Sequence, residues 1–423
     1  MATRTETVEE ICTTAKGAAR RMATLDTRTK DGALEAIAAA LEARVDEVLE
    51  ANAGDLEDGR AAGLDAALLD RLALDPERVR QTAAAVRDIL ALDDPVGEEV
   101  ESRTLASGLR LRKLRVPLGV VAIVYEARPN VTVDASALAL KSGNAVVLRG
   151  SSTAARSNAI LARIVAEAGE AAGLPEGSVQ LLAGGDRSDL IELARQEGLV
   201  DLVIPRGGEA LKKVLKEHAT VPVIYAAAGN CHVYVDASAD PVTAQRVAFN
   251  AKVQRPGVCN ASETLLVHAD AAAAVLPALA RDLQQAGVEL RTDARSRALL
   301  GELGDHVVEA SEQDWSTEYL GLKMAIKVVD SLEEAIDHIN RYGTGHSEAI
   351  ITTDDRAADE FTGGVDAACV YVNASTRFTD GGEFGMGAEM GNSTQKLHAR
   401  GPIGLRELTT FKYVVHGDGH VRG

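Results

Sequence analysis

Pro117-Leu-Gly-Val-Val-Ala-Ile-Val-Tyr125, followed at once by Glu126-Ala-Arg-Pro-Asn130, is the stretch on which the fold of this 423-residue chain turns. A run of apolar residues from Val120 to Tyr125, closed by a charged Pro-containing turn, is the signature of a strand buried on both faces, as in a parallel sheet. The pattern then repeats. Residues 131–141 carry a helical pattern that Ser142-Gly-Asn144 stops, and Ala145-Val-Val-Leu148 is a second buried strand. A helix over 153–172 and the turn Gly173-Leu-Pro-Glu-Gly177 lead to Val179-Gln-Leu-Leu182, and a helix over 188–197 leads to Leu199-Val-Asp-Leu-Val-Ile204. Gly207-Gly208 opens a helix over 209–218, and Val221-Pro-Val-Ile-Tyr225 closes the series. Short buried strands alternating with helices give an open parallel sheet through right-handed crossovers, a nucleotide-binding type of domain.

Working outward, residues 5–92 are helical in pattern, with Leu34, Ile37, Leu41, Val45 and Val48 forming one apolar stripe. Asp31 is the expected N-cap of that helix and 52–54 its stop. Residues 100–116 alternate apolar with basic side chains, as a half-exposed hairpin does. From Asp236 a second α/β unit begins, with a helix near 271–287, the strand Met324-Ala-Ile-Lys-Val-Val329, a helix over 332–342, and strands at 348–352 and 369–372. A long Gly-rich loop over 377–404 carries clustered cations, a pattern that favours function. Leu408-Thr-Thr-Phe-Lys-Tyr-Val-Val415 is a final strand expected to pair with 100–116.

Composition narrows the chemistry. The chain is 46% hydrophobic and 26% charged but only 3% aromatic, so its core is aliphatic, the usual filling between helices and a parallel sheet. A net charge of −18 repels nucleic acid and anionic membranes, and no apolar window approaches the ~18 residues of a membrane span. Four cysteines (Cys12, Cys231, Cys259 and Cys369), far apart and without metal-type spacing, suit a reduced, cytoplasmic protein without structural metal.

Cys259 stands out among them. In Asn250-Ala-Lys-Val-Gln-Arg-Pro-Gly-Val-Cys-Asn-Ala-Ser-Glu263 it sits between a Pro256-Gly257 turn and an apolar run, beside Asn260, Ser262 and Arg255. Such a setting keeps a thiol partly exposed and partly thiolate, as a nucleophile needs, although a thiol packed where a strand begins has the same neighbours. The second strand of the first domain ends in Arg149-Gly-Ser151-Ser152, with no carboxylate to accept a ribose 2′-hydroxyl. An arginine with two serine hydroxyls suits a 2′-phosphate, which favours NADP over NAD. Gly207 and Gly208 at a helix start could let backbone amides approach a phosphate, and a helix cap explains them equally.

These pieces resemble the aldehyde dehydrogenase superfamily, and within it the gamma-glutamyl phosphate reductases of proline biosynthesis. The resemblance rests on Val124-Tyr-Glu-Ala-Arg-Pro-Asn-Val-Thr132, Gly229-Asn-Cys-His232, Gln254-Arg-Pro-Gly-Val-Cys-Asn260, Tyr342-Gly-Thr-Gly-His-Ser-Glu348 and His398-Ala-Arg-Gly-Pro402. It implies a helical layer over 1–99, an NADP-binding domain over 117–235, and a catalytic domain over 236–400. It also implies an oligomerisation flap built from 100–116 and 401–423, hence a homo-oligomer. The family's nucleophile falls on Cys259, its oxyanion-stabilising asparagine on Asn130, and its ribose-holding glutamate on Glu318. The implied reaction is NADPH-dependent reduction of L-glutamyl 5-phosphate to L-glutamate 5-semialdehyde with release of phosphate, on substrate channelled from glutamate 5-kinase. Arg255, Lys396, His398 and Arg400 are the candidates for gripping phosphate and the α-carboxylate. Where hydrolytic members carry a water-activating glutamate, this sequence reads Ala226-Ala-Ala228. Two other readings compete: a cysteine acyltransferase or hydrolase using His232 as base, and a reductase of another acyl phosphate or of an acyl-CoA.

Overall fold

A computed structural model describes residues 6–183, 187–225, 228–300 and 306–422. The chain divides into two compact units, one comprising residues 1–225, 385–391 and 403–423, the other 226–384 and 392–402. The expected boundary after residue 235 therefore moves to 225. Cys231–Val235 pairs with Ser262–His268 and Ser347–Ile351, which makes it a central strand of the second unit.

In the first unit the decisive stretch is the strand Val120–Tyr125, every residue of which is buried. It lies between Ala145–Arg149 and Leu202–Arg206, with Val179–Leu181 beyond Ala145–Arg149, all in parallel. Counted along the chain the order is 3-2-1-4, so the winding direction reverses beside Val120–Tyr125. Ligands of open α/β sheets bind at such a switch point, outside the carboxyl ends of the strands. The fifth strand expected at 221–225 reduces to a single bridge, Val203 to Val223, because Pro222 has no amide hydrogen to continue a ladder. The helix capped by Thr7 packs on this sheet, and those capped by Asp26, Asp65 and Asp75 pack on neighbouring helices. Asp31 caps nothing: the helix Thr27–Ala43 starts one turn earlier on Asp26, and the Asp31 carboxylate instead meets the buried Lys141 ammonium. The expected stop at 52–54 is also overturned. Asn52 lies inside the helix Val45–Ala61, its buried amide held by the Leu72 carbonyl and the Ser157 hydroxyl.

The hairpin and the final strand form as expected. Glu99–Thr104, Arg110–Pro117 and Thr409–His416 make an antiparallel sheet with Arg110–Pro117 in the centre. Phe411, Tyr413 and Val415 are exposed on alternate positions of the last strand, and the Lys113 ammonium lies 4.2 Å from the Phe411 ring centre.

Among the described residues, the second unit holds a sheet of seven parallel strands in the order Val307–Glu309, Glu289–Thr292, Lys323–Val329, Ser262–His268, Cys231–Val235, Ser347–Ile351 and Cys369–Val372. Its aliphatic core joins Val233, Leu265, Ile326 and Ala349 of four central strands to the inner faces of helices Pro241–Val253 and Ala269–Gln285. The Gly-rich loop is split between the units, and within the second one Asn392–Ser393 pairs with Gly401–Pro402.

Candidate active site

Cys259 lies on the turn between helix Pro241–Val253 and strand Ser262–His268, half-buried, whereas Cys12, Cys231 and Cys369 are buried. The segments that precede four central parallel strands meet around it: 229–230, 254–261, 318–322 and 343–346. The nucleophile turn thus sits at the amino ends of its sheet.

Backbone contact fixes the turn. Gly229 presses so closely on it that a Cβ there would lie 1.4 Å from the Cys259 carbonyl oxygen, which only glycine permits. The Gly229 amide donates to Glu318 Oε1 at 2.7 Å, so the structure brings Glu318 to within one residue of the nucleophile's peptide. The Cys231 thiol donates to the same Cys259 carbonyl at 3.2 Å. Burial, and then the Glu348 charge, raise the Cys231 thiol well above its ordinary range, so it stays protonated and donating. Asn230 is locked beneath by the Trp315 and Tyr342 carbonyls, at 2.8 and 2.9 Å.

Two arginines belong to the thiol's turn or are fastened to it. Arg377 is held by the Gln254 side chain at 2.8 Å and by Asn260, whose own amide donates to the Thr379 carbonyl at 2.8 Å. Burial lowers the Arg377 guanidinium, and so does the like charge of Arg255, while Asp380 and then Cys259 raise it. Arg255, Arg377, Asp380 and Cys259 therefore share one electrostatic neighbourhood, with two cations in it. Sequence reasoning named Arg255 and passed over Arg377, although it opens the Gly-rich loop. Nothing in the local pattern showed that Asn260 would fasten the loop's first residue beside the nucleophile.

The remaining candidates scatter. Lys396 and Arg400 converge on Asp366 in a cavity whose lining includes neither Cys259 nor Arg255, and His398 is exposed. His232 is fully buried with its Nδ1 2.9 Å from Glu348 Oε2, a placement that overturns its reading as the thiol's base. Glu263, the nearest carboxylate in sequence, is also fully buried, paired with Lys252 and accepting from the Leu320 amide at 3.1 Å. Burial pushes its carboxyl up to about 7 and lowers the Lys252 ammonium. Ala226 and Ala227 lie outside the described residues; Ala228 is within them.

In the first unit the cofactor candidates follow the carboxyl ends of the strands. Arg149 ends one strand and Gly207 follows another, with Glu126 after the strand between them. Two expectations change in detail. Ser151 caps the short helix Ser152–Ala154, accepting from the Thr153 amide at 3.2 Å, while Ser152 is exposed. The Gly208 amide donates to Glu126 Oε1 at 3.1 Å, and a Cβ on Gly207 would meet the same oxygen at 2.8 Å. The cradle those glycines form is filled by a carboxylate, so it offers no phosphate site in this arrangement. Asn130 begins the helix Asn130–Lys141 and donates one amide hydrogen to Asp134 at 2.9 Å, leaving the second for another acceptor. Burial pushes the Asp134 carboxyl up to about 6. No helix among the described residues is long and apolar enough to cross a membrane, and none of their His, Cys, Asp and Glu side chains cluster for a metal.

Comparison with known proteins gives a consistent result. The sequence matches the aldehyde dehydrogenase family over residues 1–298 and 306–414. It is 55% identical over 408 residues to the gamma-glutamyl phosphate reductase of Moorella thermoacetica, covering 96% of this chain and 97% of that protein. A protein of the same name from Kineococcus radiotolerans is 54% identical over 417 residues, covering 99% of this chain and 96% of that one. The crystal structure of the gamma-glutamyl phosphate reductase from Thermotoga maritima superposes with a TM-score of 0.96 at 47% identity, over 99% of this chain and all of that one.

Proposed function

Since the chain belongs to the aldehyde dehydrogenase family, in its gamma-glutamyl phosphate reductase branch, we propose that it reduces L-glutamyl 5-phosphate to L-glutamate 5-semialdehyde with NADPH, through a thioester on Cys259. The observation that carries this reading is the nucleophile turn: a half-buried thiol with its carbonyl wedged against Gly229 and Arg377 fastened to the residues around it. The Cys259 thiolate attacks the acyl carbonyl while Arg255 and Arg377 hold the phosphate. The oxyanion is held by the Cys259 amide and the Asn130 side chain, each such donor being worth about 3 kcal/mol. Phosphate leaves and a thioester remains. NADPH, when bound, supplies the hydride. Arg149 and Ser152 would hold the nucleotide's 2′-phosphate, and Glu318 would accept from a ribose hydroxyl with the oxygen that Gly229 does not use. Phe411, Tyr413 and Val415 make the apolar strip that a second copy of the chain would cover. A cytoplasmic setting and a kinase supplying the acyl phosphate complete the reading.

Run in reverse, the reaction tests it. Semialdehyde oxidation in phosphate-free buffer is expected to yield at most one NADPH per active site and to resume turnover when phosphate is added, with the burst amplitude as the measurement. Steady turnover without phosphate would mean that a carboxylate activates water. Glu263 is buried on Lys252, so Glu318 is then the group to replace.

Cofactor choice gives a second expectation. Arg149→Ala is expected to raise the KM for NADPH by at least about tenfold and that for NADH much less, one lost charged contact being worth about 1.5–3 kcal/mol. Equal effects on both nucleotides would remove Arg149 from the 2′-phosphate.

A further inference from the structure

A second polar cavity, of about 480 Å³, lies within the second unit between the end of helix Leu332–Tyr342 and the segment 394–400. Its walls carry Glu348 and Asp366, Lys396 and Arg400, with Thr344 and the backbone of Gly345 between them. Glu348 is completely buried and half satisfied. Its Oε2 accepts from both the backbone amide and the ring Nδ1 of His232, at 2.6 and 2.9 Å, while its Oε1 has no hydrogen-bond partner. That oxygen is 3.1 Å from where a Cβ on Gly343, another residue of the lining, would be. Elsewhere on the lining, one carboxylate answers two cations. Lys396 Nζ and Arg400 Nη2 both grip Asp366, and Arg400 Nε is buried without a partner.

The lining therefore carries an unanswered carboxylate oxygen, on Glu348, and an unanswered guanidinium N–H, on Arg400. Leaving a buried polar atom without a partner is costly, and native structures rarely do so unless water or a ligand completes the bond. Inorganic anions would answer the cations and leave Glu348 Oε1 bare; a simple cation would do the reverse. A small molecule bearing an ammonium and a carboxylate answers both. We propose that this cavity binds a free α-amino acid, its ammonium on Glu348 Oε1 and its carboxylate on Arg400 and Lys396. Cys259 is absent from the lining, so the ligand is distinct from the reacting acyl group. The site is nevertheless wired to the nucleophile: Glu348 holds His232, and the adjacent Cys231 thiol holds the Cys259 carbonyl. An occupant that shifts Glu348 shifts that chain of contacts.

Thermal unfolding of the full-length protein with each of the twenty common L-amino acids tests the proposal, followed by calorimetric titration of any that stabilise. At least one amino acid is expected to raise Tm by about 1–2 °C at tenfold over its Kd, while its N-acetyl and amide derivatives and inorganic phosphate do not. The shift should vanish in Arg400→Ala and Lys396→Ala and persist in Arg377→Ala, which alters the nucleophile turn instead. Lys396 is exposed, so its variant keeps the test intact even where changes at buried Glu348 fail to fold. The proposal is overturned by the absence of any shift, by a shift that phosphate or the N-acetyl form reproduces, or by a shift lost in Arg377→Ala but kept in Arg400→Ala.

Discussion

Cys259→Ser is expected to lower reductase turnover by at least about 10⁴-fold while NADPH still binds, because removing the nucleophile leaves only the binding and oxyanion contributions. A serine hydroxyl needs a base to lend it nucleophilicity, and this turn supplies no histidine for the purpose: His232 is fully buried with its Nδ1 committed to Glu348. The other three cysteines make a sharp control. Cys12 is buried in the helical layer with its thiol pushed up to about 12, and Cys369 is buried in a strand. Changing all three to alanine should retain activity within about tenfold, the loss tracing to the Cys231 hydrogen bond on the Cys259 carbonyl. Stopped-flow turnover and nucleotide fluorescence measure the two halves. Substantial turnover by Cys259→Ser would sink the thioester route.

Gly229→Ala is expected to be nearly as damaging although it touches no substrate. Its Cβ would fall 1.4 Å from the Cys259 carbonyl oxygen, so either the Gly229 strand lead or the nucleophile turn must move by more than an ångström. A misplacement of that size typically costs about 10²-fold in rate. The same shift pulls the Gly229 amide from Glu318. We expect kcat to fall at least about 10²-fold and Tm to fall with it, with thiol alkylation at Cys259 measurably altered. Wild-type kcat in this variant would show that the turn's position is not set by Gly229.

Much of this architecture was legible in the residues. The strands at 120–125 and 145–149 were readable because unbroken aliphatic runs between Gly, Asn and Pro punctuation can hardly be anything else. The pairing of the last strand with the hairpin followed from two alternating patterns lacking another partner. What stayed hidden depended on long-range contact. Val221-Pro-Val-Ile-Tyr225 looks like a strand until its proline meets a neighbour that needs an amide. Asp31 looks like a cap until Lys141 claims it. At the site, Cys259 was visible from its turn, yet Arg377 is 118 residues further along and joins that turn only because Asn260 and Gln254 hold it. Glu126 escaped notice because its role, closing the Gly207-Gly208 cradle, exists only once the sheet is formed.

The route of the chain has a consequence for how the protein is made. Arg110–Pro117 needs Thr409–His416 as its partner, and Thr409 comes 292 positions after Pro117. The seven described strands of the second unit's parallel sheet fall inside that interval, between Cys231 and Val372. On a ribosome adding roughly 5–20 residues per second, the centrally encoded sheet has its full set of strands before the earlier-made hairpin can pair along its open edge. For that interval, of order tens of seconds, the hairpin is an unpaired edge of the kind that recruits other chains. Its arginines and lysine, Arg110, Arg112, Lys113 and Arg115, are charges suited to discouraging such pairing until the proper strand arrives.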